Sequence, residues 1–306
     1  MGRTQLLSSG KLLKRVKQVF YLGRHPLSHY RCATAIRDSR LTRDPLTSLK
    51  YLGDHLALSL RTPQRRQALM GHYAALRRLL HPAVGGELPN GIWLWRRELG
   101  DGQPPLSIIL EPSKLAPMEG ELQLRFTLKS DLYVLTFLLA PGDVFGLDCV
   151  NVLFIGGVQG LIGARGEMRE ASRLNGEISP AAMLILAVQA IGKVMRVDDL
   201  IAIGEDDHIS TGYSPAKIMF DYRRFWTEAG GERFGAHYRI PMETPHKPIA
   251  EIALTHRSRT KRKREAKRCI REEIEERLQQ IIMPVREPVQ STSPAERLAT
   301  AALALG

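Results

Sequence analysis

The chain is poor in cysteine and aromatic residues and has no long apolar run. Cys32, Cys149 and Cys269 are few and widely spaced, which excludes a disulfide framework or a zinc-type ligand spacing and fits a reducing compartment. Aromatic residues make up 6% of the chain, and no sequence-reading nucleic-acid module is recognisable. The longest apolar stretch, Ala181 to Ile191, includes Gln189 and falls well short of the ~20 residues a helix needs to cross a bilayer. Arg3, Lys11, Lys14, Arg15 and Lys17 interrupt the opening segment, so no apolar leader core develops. A secretory leader is not expected; a cytoplasmic location is. No Gly-Lys-Ser/Thr and no G-x-G-x-x-G spacing occurs at the glycine-rich stretch Gly156 to Gly166, which leaves out the P-loop and dinucleotide fingerprints.

What is present is ordinary globular material. Hydrophobic residues are 43% and charged residues 25% of 306, enough apolar content for a buried core and too much for a disordered chain. The formal charge of +12 is concentrated: residues 257–268 carry eight Lys/Arg and one Glu, a net +7 in twelve residues. Such a patch attracts phosphate polyanions or anionic lipid over about a Debye length, ~8 Å at physiological salt.

Hydrophobic period divides the chain. Leu6, Leu7, Leu12, Leu13, Val16, Val19 and Phe20 lie near helical spacing, as do Leu69, Tyr73, Leu76, Leu79 and Leu80 within Gln64 to Leu80, so residues 1–85 read as a helical region. From Gly91 the pattern becomes short alternating or apolar runs: 92–97, 106–110, 122–128, 133–139 and 150–155, separated by turn residues. Close succession predicts antiparallel strands. Helices follow over 165–174 and from Ser179-Pro180, an N-cap and N1 pair, to about Arg196. The second is apolar around most of its circumference and should be buried. Leu200–Ile203 is the next strand, reached by a parallel, right-handed crossover. The expected fold is α/β or α+β, with a mixed, largely antiparallel sheet and one buried crossover helix, of acyltransferase-like (GNAT-like) topology. Residues 86–255 form this core, 256–284 a basic amphipathic helix in which Ile270, Ile274, Leu278 and Ile281 make the apolar stripe, and 285–306 a poorly ordered tail.

Four constellations carry candidate chemistry. The glycine stretch lies between a strand and a helix, where exposed backbone N–H groups cradle phosphate. Gly157, Gln159, Gly160, Gly163 and Arg165 are the candidate ligand-binding residues, for coenzyme A or an acyl-CoA; a tight turn beneath a packed helix is the structural alternative. Glu205-Asp206-Asp207-His208 follows a strand end, where α/β sheets bind ligands, and nominates His208 as an acid/base residue; metal binding is not expected, since adjacent residues rarely converge on one ion. Asp221, Tyr222, Phe225 and Trp226 form either an aromatic-walled pocket, with Asp221 catalytic, or a core-facing stripe in which Asp221 caps the helix. Finally, Arg257, Arg259, Lys261, Arg262, Lys263, Arg264, Lys267 and Arg268 are candidates for non-specific contact with nucleic acid or an anionic membrane surface.

Phe154-Ile155-Gly156-Gly157-Val158-Gln159-Gly160, Leu200–Ile203 with His208, and above all Asp221-Tyr222-Arg223-Arg224-Phe225-Trp226 through Gly230-Gly231 resemble the VirK/YbjX family of bacterial proteins, a domain of unknown function. The resemblance runs from about Asp44 to Leu278. It implies links to virulence, envelope remodelling, antimicrobial-peptide tolerance and stress or DNA-damage responses, and brings no biochemical activity with it. Family members commonly carry Gly-Leu-Arg-Pro-Lys before the long helix; here Glu177-Ile178-Ser179-Pro180-Ala181 lacks both cations. The expectation is therefore an acyltransferase-like, CoA-binding protein, with a non-enzymatic regulator contacting nucleic acid or lipid through its basic segment as the alternative. A third possibility is a factor that binds a protein partner through the stripe of the last helix.

Overall fold

The computed structural model describes residues 9–42, 44–100, 102–212 and 220–283; the expected tail after Pro284 lies outside them. The chain begins with α1 (Ser9–Arg24) and α2 (Pro26–Ser39), broken at Pro26, whose missing N–H suits a first helical turn. A 3-10 helix, Pro45–Leu52, is capped by Asp44, which accepts the Leu46 N–H at 2.9 Å. The helices α3 (Thr62–Leu79) and α4 (Pro82–Gly85) follow.

Eight strands then form a single sheet: β1 (Ile92–Arg97), β2 (Leu106–Pro112), β3 (Leu122–Thr127), β4 (Asp131–Ala140), β5 (Val152–Gly160), β6 (Asp199–Ala202), β7 (Glu232–Phe234) and β8 (His237–Ile240), in the order β1-β2-β3-β4-β5-β6-β8-β7. Every pairing is antiparallel except β5 with β6. The crossover between those two consists of α5 (Arg165–Leu174) and α6 (Pro180–Val194), as a parallel connection requires. Ser179 Oγ accepts the Ala182 N–H at 3.3 Å, making the expected N-cap. The fold is thus mixed α/β around a mostly antiparallel open sheet.

Burial explains the arrangement. All residues from Val134 to Ala140 in β4 and from Val152 to Val158 in β5 are buried, so helices cover both faces of the sheet centre. The crossover helix α6 is apolar nearly all round and packs across β3 to β6. Alongside it runs α8 (Leu254–Ile281), with Ile270, Ile274, Leu278 and Ile281 turned inward; α3 packs on β4. One hydrophobic core draws on residues from Cys32 to Ile282, so the helical opening, the sheet and α8 share a single interior. No helix among the described residues is long and apolar enough to cross a membrane.

One boundary departs from the sequence reading. The strand expected to stop at Ile155 runs on to Gly160 as β5, so Gly157, Gln159 and Gly160 sit in a ladder opposite Thr136, Val134 and Tyr133 rather than in a loop. Gly156 is the extra residue of a bulge: Thr136 faces Gly157 and Phe137 faces Ile155.

Candidate functional site

The glycines of β5 are required by a chain crossing over them. Residues 113–121, between β2 and β3, bring Glu119 across the sheet. A Cβ at Gly156 would overlap the Glu119 carbonyl oxygen, and one at Gly157 would overlap Glu119 Oε2. Gly120 is equally constrained, since its Cβ would meet the Phe137 backbone nitrogen at 2.7 Å. Glycine here serves close approach of backbone and a carboxylate. Of the other candidate ligand residues, Gly163 (φ +85°) lies in the turn after β5, and Arg165 is the first, exposed residue of α5.

On its other edge β5 outlasts its partner. The β5–β6 pairing runs from Val152 and Asp199 to Ile155 and Ala202, and Ile203 N–H donates to the Ile155 carbonyl at 2.8 Å. Beyond that point β6 ends while β5 runs on to Gly160, which leaves a wedge beside the β5 edge. The Tyr222 side chain enters it: its hydroxyl accepts the Val158 N–H and donates to the Val158 carbonyl, both at 3.3 Å. Tyr222 reaches this place from α7 (Tyr222–Glu228), anchored by buried Trp226, whose indole N–H donates to the Ile203 carbonyl at 2.8 Å. Asp221 Oδ1 accepts the Arg224 N–H at 3.0 Å and caps α7, the second of the two arrangements the sequence allows for it.

Around the wedge an acid and a base are held together. Glu119 is buried; its Oε2 accepts from Thr136 Oγ1 at 3.4 Å, and its Oε1 lies 3.5 Å from His208 Nε2. His208 Nδ1 accepts the Ser210 N–H at 3.2 Å, which puts the proton of the neutral ring on Nε2, the nitrogen nearer Glu119. Burial moves the two groups oppositely. It raises the Glu119 carboxyl to about 7, against the Thr136 hydrogen bond, and lowers the His208 imidazole to about 4. The Tyr222 ring lies 5.2 Å from the His208 ring, and burial, with the Glu119 charge next, raises its hydroxyl well above the ordinary tyrosine range.

Glu121, two residues on, organises a second cluster. Lys50 Nζ lies 3.0 and 3.1 Å from its two oxygens, the Tyr73 hydroxyl donates to it at 2.7 Å, and His55 Nε2 is 3.3 Å away. A cavity of about 170 Å³ lies against Lys50, Tyr73 and Glu121. The rest of the acidic loop is structural. Asp207 accepts from Ser59 N–H and Ser59 Oγ, both at 2.6 Å, with His237 Nε2 at 3.4 Å. The Ser59 hydroxyl therefore meets a carboxylate and not an imidazole, so no nucleophile–base pair forms. Glu205 pairs with Arg223 and Arg233. No group of three or more potential metal ligands occurs among the described residues.

Of the sequence candidates, His208 and Gly157 thus lie against Glu119, and Gln159 is a residue of β5 opposite Val134. Glu119, Thr136 and the second cluster were not anticipated. The one signal available was Glu119-Gly120-Glu121, two carboxylates flanking a glycine between apolar strands. The sequence offers Tyr222 as a pocket wall or a core residue; its ring is core, and its hydroxyl is what meets the strand.

The basic run lies within α8. Lys261, Arg262, Arg264, Lys267 and Arg268 line a groove of about 1000 Å³ between α8, α6 and residues 243–249, whereas Arg257 donates to the Ile252 and Ala250 carbonyls and Arg259 pairs with Glu177. Lys263 is not among the groove residues. Arg268 is engaged by Glu265 and Glu272. Lys267 has no carboxylate partner among the described residues; burial, then Lys263 and Arg271, lower its ammonium below the usual lysine range.

A family model described as "Protein of unknown function (DUF535)" matches residues 26–276. The "Uncharacterized protein YbjX" of Escherichia coli (strain K12) is 29% identical over 241 residues, which cover 74% of this chain and 70% of that protein. No solved structure matches the chain.

Proposed function

The chain belongs to the family described as protein of unknown function (DUF535), and from that starting point we propose that it is an acyltransferase-like protein that takes a coenzyme A-type thioester into the wedge between β5 and β6. One observation carries the reading: past Ile155 and Ala202 the edge of β5 is met by no strand among the described residues, and the Tyr222 hydroxyl occupies Val158. A run of antiparallel strands, then a single parallel pair joined by a helical crossover, is how acyltransferases of Gcn5-related type are built. The arm of the coenzyme carries two amides, which suit an open strand edge as a short extra strand would.

The chemistry follows from the groups beside the wedge. Glu119, held near neutrality, takes a proton from the acceptor amine or hydroxyl as its lone pair attacks the thioester carbonyl. The C–S bond breaks, and the departing sulfur takes up the proton that Glu119 has received, which returns the carboxylate to its starting form. Neutral His208 directs its Nε2 proton towards Glu119 and steadies the carboxylate form; it is a positioning residue. Gly163 and Arg165, at the turn into α5, stand nearest in sequence to where the phosphates of such a ligand would lie. A cytoplasmic location and an envelope-related acceptor are the cellular setting this reading favours.

The test is thermal shift and product analysis with coenzyme A and a series of acyl-CoAs. Wild type should be stabilised, by RT ln(1 + [L]/Kd), with Glu119→Gln binding the ligand but losing transfer or hydrolysis of the acyl group. Absence of any shift at millimolar ligand would sink the reading.

A second reading rests on Lys267 in the α8 groove, which meets no carboxylate among the described residues: a non-enzymatic contact with a phosphate polyanion. Replacing Lys261, Arg264 and Lys267 by Gln should lower affinity for a single-stranded oligonucleotide and flatten its salt dependence; an unchanged slope rules it out.

A further inference from the structure

The first 37 residues contain eight Lys/Arg and no Asp or Glu. With the net +7 of residues 257–268, this accounts for more than the whole net charge, and the remaining chain is net acidic. The positive N-terminal stretch coincides with an apolar face that nothing among the described residues covers. On α1, Val16, Val19 and Phe20 are 56%, 69% and 68% exposed, and on α2 Leu27 and Tyr30 are each 62% exposed. Val16, Val19 and Phe20 stand at i, i+3 and i+4, one stripe of a helix. The docked side of α1 is a different one: Gln18 donates to the Leu52 carbonyl at 3.1 Å, and the Tyr21 hydroxyl accepts from Arg66 at 3.1 Å. The stripe is therefore not the face that holds α1 to the protein.

We propose that α1 and the start of α2 form a reversible membrane-surface contact, in which Val16, Val19, Phe20 and Leu27 enter the headgroup boundary of an anionic leaflet and Lys17, Arg24 and Arg31 lie over its phosphates. The charges select this occupant. Lys17, Arg24 and Arg31 are exposed and have no carboxylate partner among the described residues, and each cation near an anionic surface strengthens binding about fivefold. A second copy of the same face would bring like charges together. Nucleic acid would satisfy the cations and leave the aliphatic stripe in water. A surface that is anionic and has an apolar interior satisfies both, with long cationic side chains reaching back to the headgroups. The proposal is independent of the thioester reading.

The test is co-sedimentation of the full chain with vesicles of phosphatidylglycerol in phosphatidylcholine, and of phosphatidylcholine alone. Wild type should bind the anionic vesicles ~10-fold or more tightly than the neutral ones. The double variant Val19→Glu/Phe20→Glu, both positions being exposed, should keep the wild-type melting midpoint and lose ~10-fold or more in affinity. Arg77→Glu/Arg78→Glu, at two exposed positions of α3, should bind as wild type does. The proposal is overturned if wild type ignores the vesicles, if the α1 variant binds unchanged, if the α3 variant loses as much binding as the α1 variant, or if the stripe proves to hold two copies together, seen as a dimer that the α1 variant converts to monomer.

Discussion

His208 Nε2 lies 3.5 Å from Glu119 Oε1, and burial drives the pair in opposite directions, the carboxyl to about 7 and the imidazole to about 4. The folded value of Glu119 lies above its ordinary 4.5, so the native state binds the extra proton. Its contribution to stability is full below about 4.5 and is lost as pH rises through about 7. His208 lies below its ordinary 6.5, so the unfolded state binds the extra proton, and stability rises between about 4 and 6.5. The two slopes oppose one another over most of that window, leaving Glu119 to dominate above it.

Glu119→Gln removes the falling limb. Relative to wild type, the variant should gain stability from pH 5 to pH 8, by up to roughly 3 kcal/mol, read from urea unfolding at both values. A wild-type and variant difference that does not change with pH would show that Glu119 does not titrate near neutrality.

Glycines of the same run should behave differently. Gly156→Ala drives a Cβ into the Glu119 carbonyl oxygen, backbone that cannot swing aside, and should destabilise the protein by roughly 3 kcal/mol or lose the fold. Gly166→Ala meets nothing within 4 Å in the first turn of α5 and should stabilise by about 0.5–1 kcal/mol. Thermal midpoints of the two single variants decide the matter; equal effects would mean that β5 and the chain over it are not in contact.

That contrast also marks what could be read in advance. Ser179-Pro180, the stripe Ile270, Ile274, Leu278 and Ile281, and the apolar circumference of α6 declared their elements because caps and periods are local. The end of β5 did not, because two glycines after an apolar run signal a turn whenever the neighbour they accommodate lies far away in sequence. Glu119 is more than thirty residues upstream of Gly156. His208 was legible as a polar residue just past a strand, whereas its partner Glu119 sits in a loop that only the tertiary fold lays across the sheet. Asp221 had two readings, and the local one, a helix cap, is the one its distance to Arg224 N–H supports.

Tyr222→Phe removes one oxygen and leaves the Val158 N–H and carbonyl, both inside the wedge, without their partner. The expected cost is about 1–3 kcal/mol, together with faster amide exchange at Val158 than in wild type while exchange at Phe154 stays slow. Should Val158 exchange remain unchanged, a neighbouring strand or side chain, and not this hydroxyl, protects it.

Lys50 supplies the positive charge for Glu121, whose side chain is 2% exposed. Burial pushes the Glu121 carboxyl up, and Lys50, then the Tyr73 hydrogen bond, pull it back. Lys50→Met strands that carboxylate in the interior and should destabilise by roughly 3–5 kcal/mol. Glu121→Gln in the same background removes the stranded charge while keeping an acceptor for the Tyr73 hydroxyl, so the double variant should recover part of the loss. The coupling energy from the four proteins of a double-mutant cycle measures the pair itself. If the two substitutions add independently, Lys50 and Glu121 do not interact in solution, and the cavity beside them is held by packing of Tyr73 and Leu76 alone.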